Sequence, residues 1–234
     1  MNPPLKVLIH GASGRMGRAL LRLCNEEASG LVAVAAVAGS APRDPLVPGF
    51  SSDALDRVPG FDVAIDFSLA EGFDAILALC VQRKAALVSG TTGLTDGQWA
   101  ALDAAAVDIP LVWASNFSLG VSVLHALVAR AASLLPEWDC DIIEAHHSHK
   151  RDAPSGTALT LGASAAGSGA NPRYASIRAG DIVGEHWVQF TGLGERIELV
   201  HRASSRDIFA RGALHAARRL HGRAPRRYRF EDLL

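Results

Sequence analysis

The stretch LKVLIHGASGRMGRALLRLC, residues 5–24, decides how the rest of the chain is read. Leu5–His10 is a short apolar run that stops at glycine, the pattern of a strand buried in a sheet. GASGRMG follows over 11–17, and then Ala19, Leu20, Leu23 and Cys24 recur at helical spacing. Gly11, Gly14 and Gly17 are therefore spaced G-x-x-G-x-x-G between a strand and a helix. Glycine there allows a tight turn and lets backbone N–H groups approach a pyrophosphate at the positive end of the helix. The spacing alone also suits a purely structural turn, but its place directly after a strand favours a dinucleotide site.

Outward from this unit the same alternation continues. Leu31–Val37 and DVAIDF (62–67) read as buried strands, and residues 71–83 carry a helical pattern. Ala85–Ser89 is a strand that runs into GTTG, residues 96–106 are a helix, and Ile109–Ala114 is a strand. Alternating buried strands and helices imply a Rossmann-type α/β domain, a parallel sheet with helices on both faces. The acidic residue that usually ends the second strand and bonds the ribose of NAD is missing, since Val37-Ala38-Gly39-Ser40 stand there. Arg43, in a Pro/Gly/Ser-rich surface loop over 40–52, could pair with a ribose 2′-phosphate, which tilts the reading to NADPH; the alternative is a solvated arginine.

After Asn116 the character changes. Val121–Leu135 reads as a long helix, Asp139–His146 as a strand, and a further helix starts at about Gly156. The β-branched residues and turn glycines of 175–202 suggest a meander of antiparallel strands, and 208–220 returns to helix. The division is residues 1–118, completed by 206–234, as the dinucleotide-binding domain. Residues 119–205 form a smaller α+β domain with an open mixed or antiparallel sheet.

Composition bounds the function. At 234 residues, 49% hydrophobic and 20% charged, the chain has the means for a real core and is not disordered. Its net charge of −1 argues against nucleic acid or a membrane surface as partner. The arginine-rich end (Arg218 to Arg229) reads as a solvated basic tail rather than a nucleic-acid site. The longest apolar run, Leu31–Ala38, is far short of the ~20 residues of a membrane span, and the start of the sequence does not read as a signal peptide. Cys24, Cys80 and Cys140 are odd in number and far apart, as reduced thiols of a cytoplasmic protein are. Only Lys6, Lys84 and Lys150 among the 23 basic residues are lysines. Lys6 and Lys84 read as solvated ends of elements, whereas Lys150 has unusual company.

That company is EAHHSHKRDAPSGT, residues 144–157. His146, His147 and His149 could be thought of as metal ligands, but neighbouring residues of a strand point to opposite faces and no metal-binding spacing is present, so no metal is expected. The better reading is one histidine as general acid, with the others and Lys150 forming a cationic cradle for an anion. Ser155 is a natural N-cap for the helix that follows, and a helix N-terminus preceded by Lys and His is an anion site in its own right. Carboxylate is the simplest small anion to fit.

Together with the glycine loop, these residues make the sequence resemble the dihydrodipicolinate (4-hydroxy-tetrahydrodipicolinate) reductase family of bacterial lysine biosynthesis. GASGRMGR, IDFSLAEG, SGTTG, ASNFSLGV, IIEAHHSHKRDAPSGTA, RAGDIVGEH and GERIELVHRASSR carry the resemblance, in the family's order and over essentially the whole chain. It implies a reductase that takes hydride from NADPH or NADH to a small cyclic dicarboxylate. His146 is then the acid and Lys150 assists protonation, while His147, Ser155, Gly156 and Thr157 hold the carboxylates. Gly11, Ala12, Ser13, Gly14, Arg15 and Met16 would cradle the cofactor pyrophosphate. Gly90, Thr91 and Thr92 with Ala114, Ser115, Asn116 and Phe117 would flank the nicotinamide, and Phe67 and Ser68 are further contacts. The resemblance also implies a homotetramer assembled through the sheet of the second domain. Ala38-Gly39 stand where the family often carries a Glu-Arg pair, which leaves nucleotide preference open. Rival readings are another NAD(P)-dependent reductase of a small carboxylate, or a protein that only senses NAD(P)H.

Overall fold

The computed structural model describes residues 3–24, 26, 30–44 and 46–234. In chain order its elements are β1 (Leu5–His10), α1 (Arg15–Cys24), β2 (Leu31–Ala38), β3 (Gly49–Ser51), β4 (Val63–Asp66), α2 (Ala70–Arg83), β5 (Ala86–Ser89), α3 (Asp96–Ala105) and β6 (Pro110–Trp113). They continue with α4 (Leu119–Leu134), β7 (Asp139–His146), α5 (Gly156–Ala166), β8 (Pro172–Arg178), β9 (Gly184–Gly192), β10 (Glu195–Ala203), α6 (Asp207–Leu220) and β11 (Arg226–Tyr228). The backbone forms two compact units, residues 1–117 with 209–234, and residues 118–208.

The first unit is built on a seven-stranded sheet in the order β11-β6-β5-β4-β1-β2-β3, and every pair in it is parallel. Continuous apolar strands such as VAID in β4 and ALVS in β5 are buried at every position, as a sheet covered on both faces requires. Phe73, Ile76, Leu87, Leu102 and Ile109 make up the centre of one core layer. The chain leaves β1 toward β2 on one side and returns to β4 on the other, so the strand order reverses at β1, where open α/β sheets leave a crevice.

The second unit has a four-stranded sheet in the order β10-β9-β7-β8. Its α4 and α5 cover one face, packing Leu124, Val128 and Leu161 on Cys140, Ile142, Val188 and Phe190. The other face carries an apolar row that the register draws across all four strands, Val200, Trp187, Ile143 and Ala175.

Three segments differ from the reading of the sequence. Within the 40–52 loop, β3 adds a short edge strand to β2, and a 3₁₀ helix follows over Ser52–Arg57. The 175–202 segment is only partly a meander. β9 and β10 form an antiparallel hairpin, but β8 pairs in parallel with β7, because α5 carries the chain across the sheet between them. The basic tail is not simply solvated. β11 pairs with β6, Tyr228 and Phe230 are buried, Arg226 lies 4.5 Å over the Tyr228 ring, and Arg227 pairs with Asp103 at 2.6 Å.

Candidate active site

The strand ends of the first unit define one crevice. β1 ends at His10, and Gly11 turns the chain with φ +78°; a Cβ there would lie 2.4 Å from the Phe67 carbonyl oxygen, so only glycine fits. A cavity of about 530 Å³ is lined by His10, Gly11, Ser13 and Gly14, by Ala38 and Gly39 after β2, and by Phe67 and Ser68 after β4. Glu71 in the first turn of α2 also faces it. Ala12 is buried and donates its N–H to Val37 O at 2.9 Å, which fixes the loop to β2. Arg15 and Met16 open α1, with Arg15 exposed. An open loop of small residues at the N-terminus of α1, beside a crevice of this size, fits a dinucleotide pyrophosphate.

Beneath the crevice lies a buried polar knot that the sequence reading missed. Asp66, fully buried at the end of β4, accepts from Ser89 Oγ at 2.9 Å, Thr91 Oγ1 at 2.8 Å and the Ser68 N–H at 3.1 Å, and it pairs with His10 Nδ1 at 2.9 Å. Burial opposes its charge, but His10 and these donors outweigh burial and hold its pKa below the usual carboxylate range. Thr91 is thus spoken for by Asp66, and Trp113 Nε1 donates to its carbonyl at 2.8 Å. Gly90 lies under the Phe67 ring, which meets Phe117 edge-on at a centroid distance of 5.6 Å. Phe117 is 1% exposed and packs on Phe230 as well, so its side chain is core. Thr92, Ala114, Ser115 and Asn116 follow β5 and β6 at the same sheet edge but are not among the residues lining the cavity.

The second unit gathers the His/Lys segment. β7 ends at His146, the turn 147–154 follows, and Ser155 caps α5 by accepting from the Ala158 N–H at 3.2 Å. Glu144 is fully buried and lies two residues before His146, on the same face of the strand. Its carboxylate accepts from His146 Nδ1, from the Ser155 N–H at 3.2 Å and from Arg178 Nη1 and Nη2 at 2.9 and 2.7 Å. One carboxylate thereby joins the end of β7, the start of α5 and the end of β8. Burial would raise its pKa, but Arg178, Ser176 and His146 hold it at about 2.

Lys150 Nζ lies 2.7 Å from Asp152 Oδ1, and the Asp152 carbonyl accepts from Arg178 at 2.6 Å. His147 Nε2 is 3.3 Å from Arg206 Nη2, and His149 is exposed. Gly156 is exposed and Thr157 half-buried in the first turn of α5, whose N–H groups carry the positive end of the helix. His146, His147, Lys150 and Ser155–Thr157 thus come together at one edge of the sheet. Arg178 and His186, which the sequence reading passed over, join them. Glu144 could have been found from strand periodicity, but Arg178 and His186 enter through pairing across the sheet. Among the described residues no group of three or more His, Cys, Asp or Glu is arranged to hold a metal.

His186 is 4% exposed, bonds Ser155 Oγ through Nε2 at 3.2 Å, and meets the His146 ring edge-on at 5.3 Å. Burial, followed by the charges of His146 and His201, drives its pKa down to about 4, so it is neutral at pH 7. Below pH 6.5 the unfolded chain takes up a proton that folded His186 refuses until about pH 4, so stability falls across that window as pH falls. The loss is on the order of 3 kcal/mol. Chemical denaturation between pH 7 and 4 should show a shallower loss for His186→Gln than for the native chain; equal slopes would contradict the assignment.

Family models described as dihydrodipicolinate reductase, N-terminus and C-terminus, match residues 5–117 and 120–234. The chain is 68% identical over 234 residues to the 4-hydroxy-tetrahydrodipicolinate reductase of Stenotrophomonas maltophilia (strain R551-3), covering 99% of this chain and 98% of that protein. It is 62% identical over 237 residues to that of Xylella fastidiosa (strain 9a5c), covering 100% of both. In fold it matches the dipicolinate-bound dihydrodipicolinate reductase from Paenisporosarcina sp. TG-14, with a TM-score of 0.85 at 23% identity over 99% of this chain and 100% of that one. The chain belongs to the dihydrodipicolinate reductase family.

Proposed function

We infer that this chain is an NAD(P)H-dependent reductase that converts 4-hydroxy-tetrahydrodipicolinate to tetrahydrodipicolinate in lysine and diaminopimelate biosynthesis. Family membership supports the activity. The observation that carries the site is the convergence of His146, Lys150 and the first turn of α5 on one sheet edge, joined through Glu144 and Arg178. Two carboxylates on one small ring need several donors and positive charge close together. Gly156 and Thr157 amides, the Thr157 hydroxyl, His147 and Lys150 supply them, and the caps at Ser155 keep them in place.

Reduced nicotinamide, when bound, supplies the hydride, and the loop 11–16 with the crevice of the first unit would hold its dinucleotide. The remaining chemistry belongs to the chain. Reduction of a conjugated C=C–C=N system pushes electrons toward nitrogen, and a ring carbon then needs a proton. His146 Nε2 holds that proton, since Nδ1 is occupied by Glu144. Lys150 places a fixed positive charge beside the electron-rich ring and stabilises it.

A positioned acid typically contributes ~10²–10⁴-fold, so His146→Gln and Lys150→Met should each lose kcat by about that factor. The assay follows nucleotide oxidation with the condensation product of pyruvate and aspartate semialdehyde. Normal kcat and KM in both variants would remove these roles.

The end of β2 presents Ala38 and Gly39 to the crevice and no carboxylate, and exposed Arg43 follows. We assign Arg43 to a ribose 2′-phosphate. A charged hydrogen bond of about 1.5–3 kcal/mol corresponds to a rise in KM of roughly tenfold or more. Arg43→Ala should raise KM for NADPH by that factor and leave NADH unchanged; parallel changes for both nucleotides would refute the pairing.

We further propose a cytoplasmic homotetramer. The buried free thiols of Cys80 and Cys140 suit a reducing compartment. The row Val200, Trp187, Ile143 and Ala175 on the uncovered face of the second sheet, flanked by ion pairs Arg173–Asp141 and Arg202–Glu185, suits contact with further copies. Analytical ultracentrifugation should return four chains per particle, and Val200→Asp a smaller assembly. A native monomer would end the proposal.

A further inference from the structure

We propose that Glu144 is a positioning residue for the reaction: it fixes the tautomer of His146, aims Nε2 at the substrate and sustains the ring's capacity to carry a proton. This rests on the reading of His146 as the proton donor.

Three observations carry it. Glu144 is completely buried, and apart from the exposed Ser176 of β8 its hydrogen bonds go to residues at the cradle: His146, the Ser155 N–H and Arg178. An ionised carboxylate is acceptor-only, so the His146 Nδ1 opposite it must carry the hydrogen, and the neutral ring keeps its lone pair on Nε2. The side of Nε2 is kept clear by Gly184 in β9, where an added Cβ would stand 3.1 Å from that nitrogen. A ring held at one nitrogen exchanges its proton through the other, Nε2, alone.

The charges around the ring give the carboxylate its second task. Lys150 faces His146 from the turn, Arg178 from β8 and His186 from β9, and Glu144 faces it from β7. Burial lowers the pKa of His146 first of all, Lys150 and Arg178 lower it further, and Glu144 alone among these groups raises it. Asp152 is taken up by Lys150. Without the Glu144 charge, every neighbour of the ring opposes its protonation, and the cradle that attracts a dianion would strip the acid of its proton. Arg178 completes the arrangement by neutralising Glu144 through two hydrogen bonds, so the carboxylate stays ionised in its buried position.

Glu144→Gln keeps shape and removes charge; Glu144→Asp keeps charge and shortens the reach. The ring nitrogens of His146 are read by ¹⁵N NMR of the full chain, assigned by their absence in His146→Gln. The native ring should show the Nδ1–H form when neutral, and Glu144→Gln should mix the tautomers and titrate at lower pH. In activity, Glu144→Gln should lower kcat by about 10- to 100-fold, as loss of an orienting partner does, with little change in substrate KM. The alkaline limb of kcat/KM should move down by about one pH unit or more, and Glu144→Asp should restore part of both. Added to His146→Gln, the Glu144→Gln change should cost nothing more, because the two act as one.

A neutral His146 ring that carries its hydrogen on Nε2 rather than Nδ1 in the native chain overturns the proposal even if no Glu144 variant folds. So does an equal loss for Glu144→Gln in the presence and absence of His146, or an unmoved pH limb, since a merely structural carboxylate predicts both. Full activity of His146→Gln would instead remove the acid assignment itself, while the NMR result on the tautomer would stand.

Discussion

A carboxylate sealed from water is costly unless each of its lone pairs is used, and the second unit is organised around one that is. Glu144 accepts from a guanidinium, an imidazole and a helix-capping amide at once. Those partners lie on β7, on β8 and at the entry to α5, elements separated by up to 34 residues in the chain. Because the ion pair is worth having only when complete, the strand end, the turn 147–154 and the first helical turn hold their positions together. The anion cradle is the surface of that arrangement.

The first unit repeats the device with different residues. Asp66 takes hydroxyls from Ser89 and Thr91, the Ser68 N–H and His10, and so gathers the ends of β1, β4 and β5 below the glycine loop. In both units a buried carboxylate at the carboxyl edge of a sheet converts loose strand ends into a rigid floor. The loops above can then be small and open, as Gly11–Gly14 are, without losing their shape. Rigid floors with open loops suit a reaction in which the cofactor carries the electrons and the chain has to orient, charge and protonate.

The histidines show how environment separates identical side chains. His186 is pushed by burial to a pKa of about 4 and serves as a neutral partner for Ser155. His146, 5.3 Å away, keeps a carboxylate on one nitrogen. His147 leans on Arg206, and His149 stands in water. Four imidazoles within one small unit thus have four different tasks, and only their neighbours distinguish them.

Much of this was legible in the residues. The alternation of apolar strands with helical periods, GASGRMG after the first strand and PSGT opening a helix are local patterns, and local patterns survive in a linear reading because backbone period and capping act within a few residues. The resemblance carried by the EAHHSHKRDAPSGTA block settled the family on the same footing. What the chain in extended form could not announce was decided by pairing between distant segments. β8 joined β7 in parallel, β11 closed the edge beside β6, and a three-residue strand formed inside an apparent loop. Above all, Arg178 reached Glu144 across 34 positions, since a buried charge finds its counter-charge only when the sheet has brought the two together.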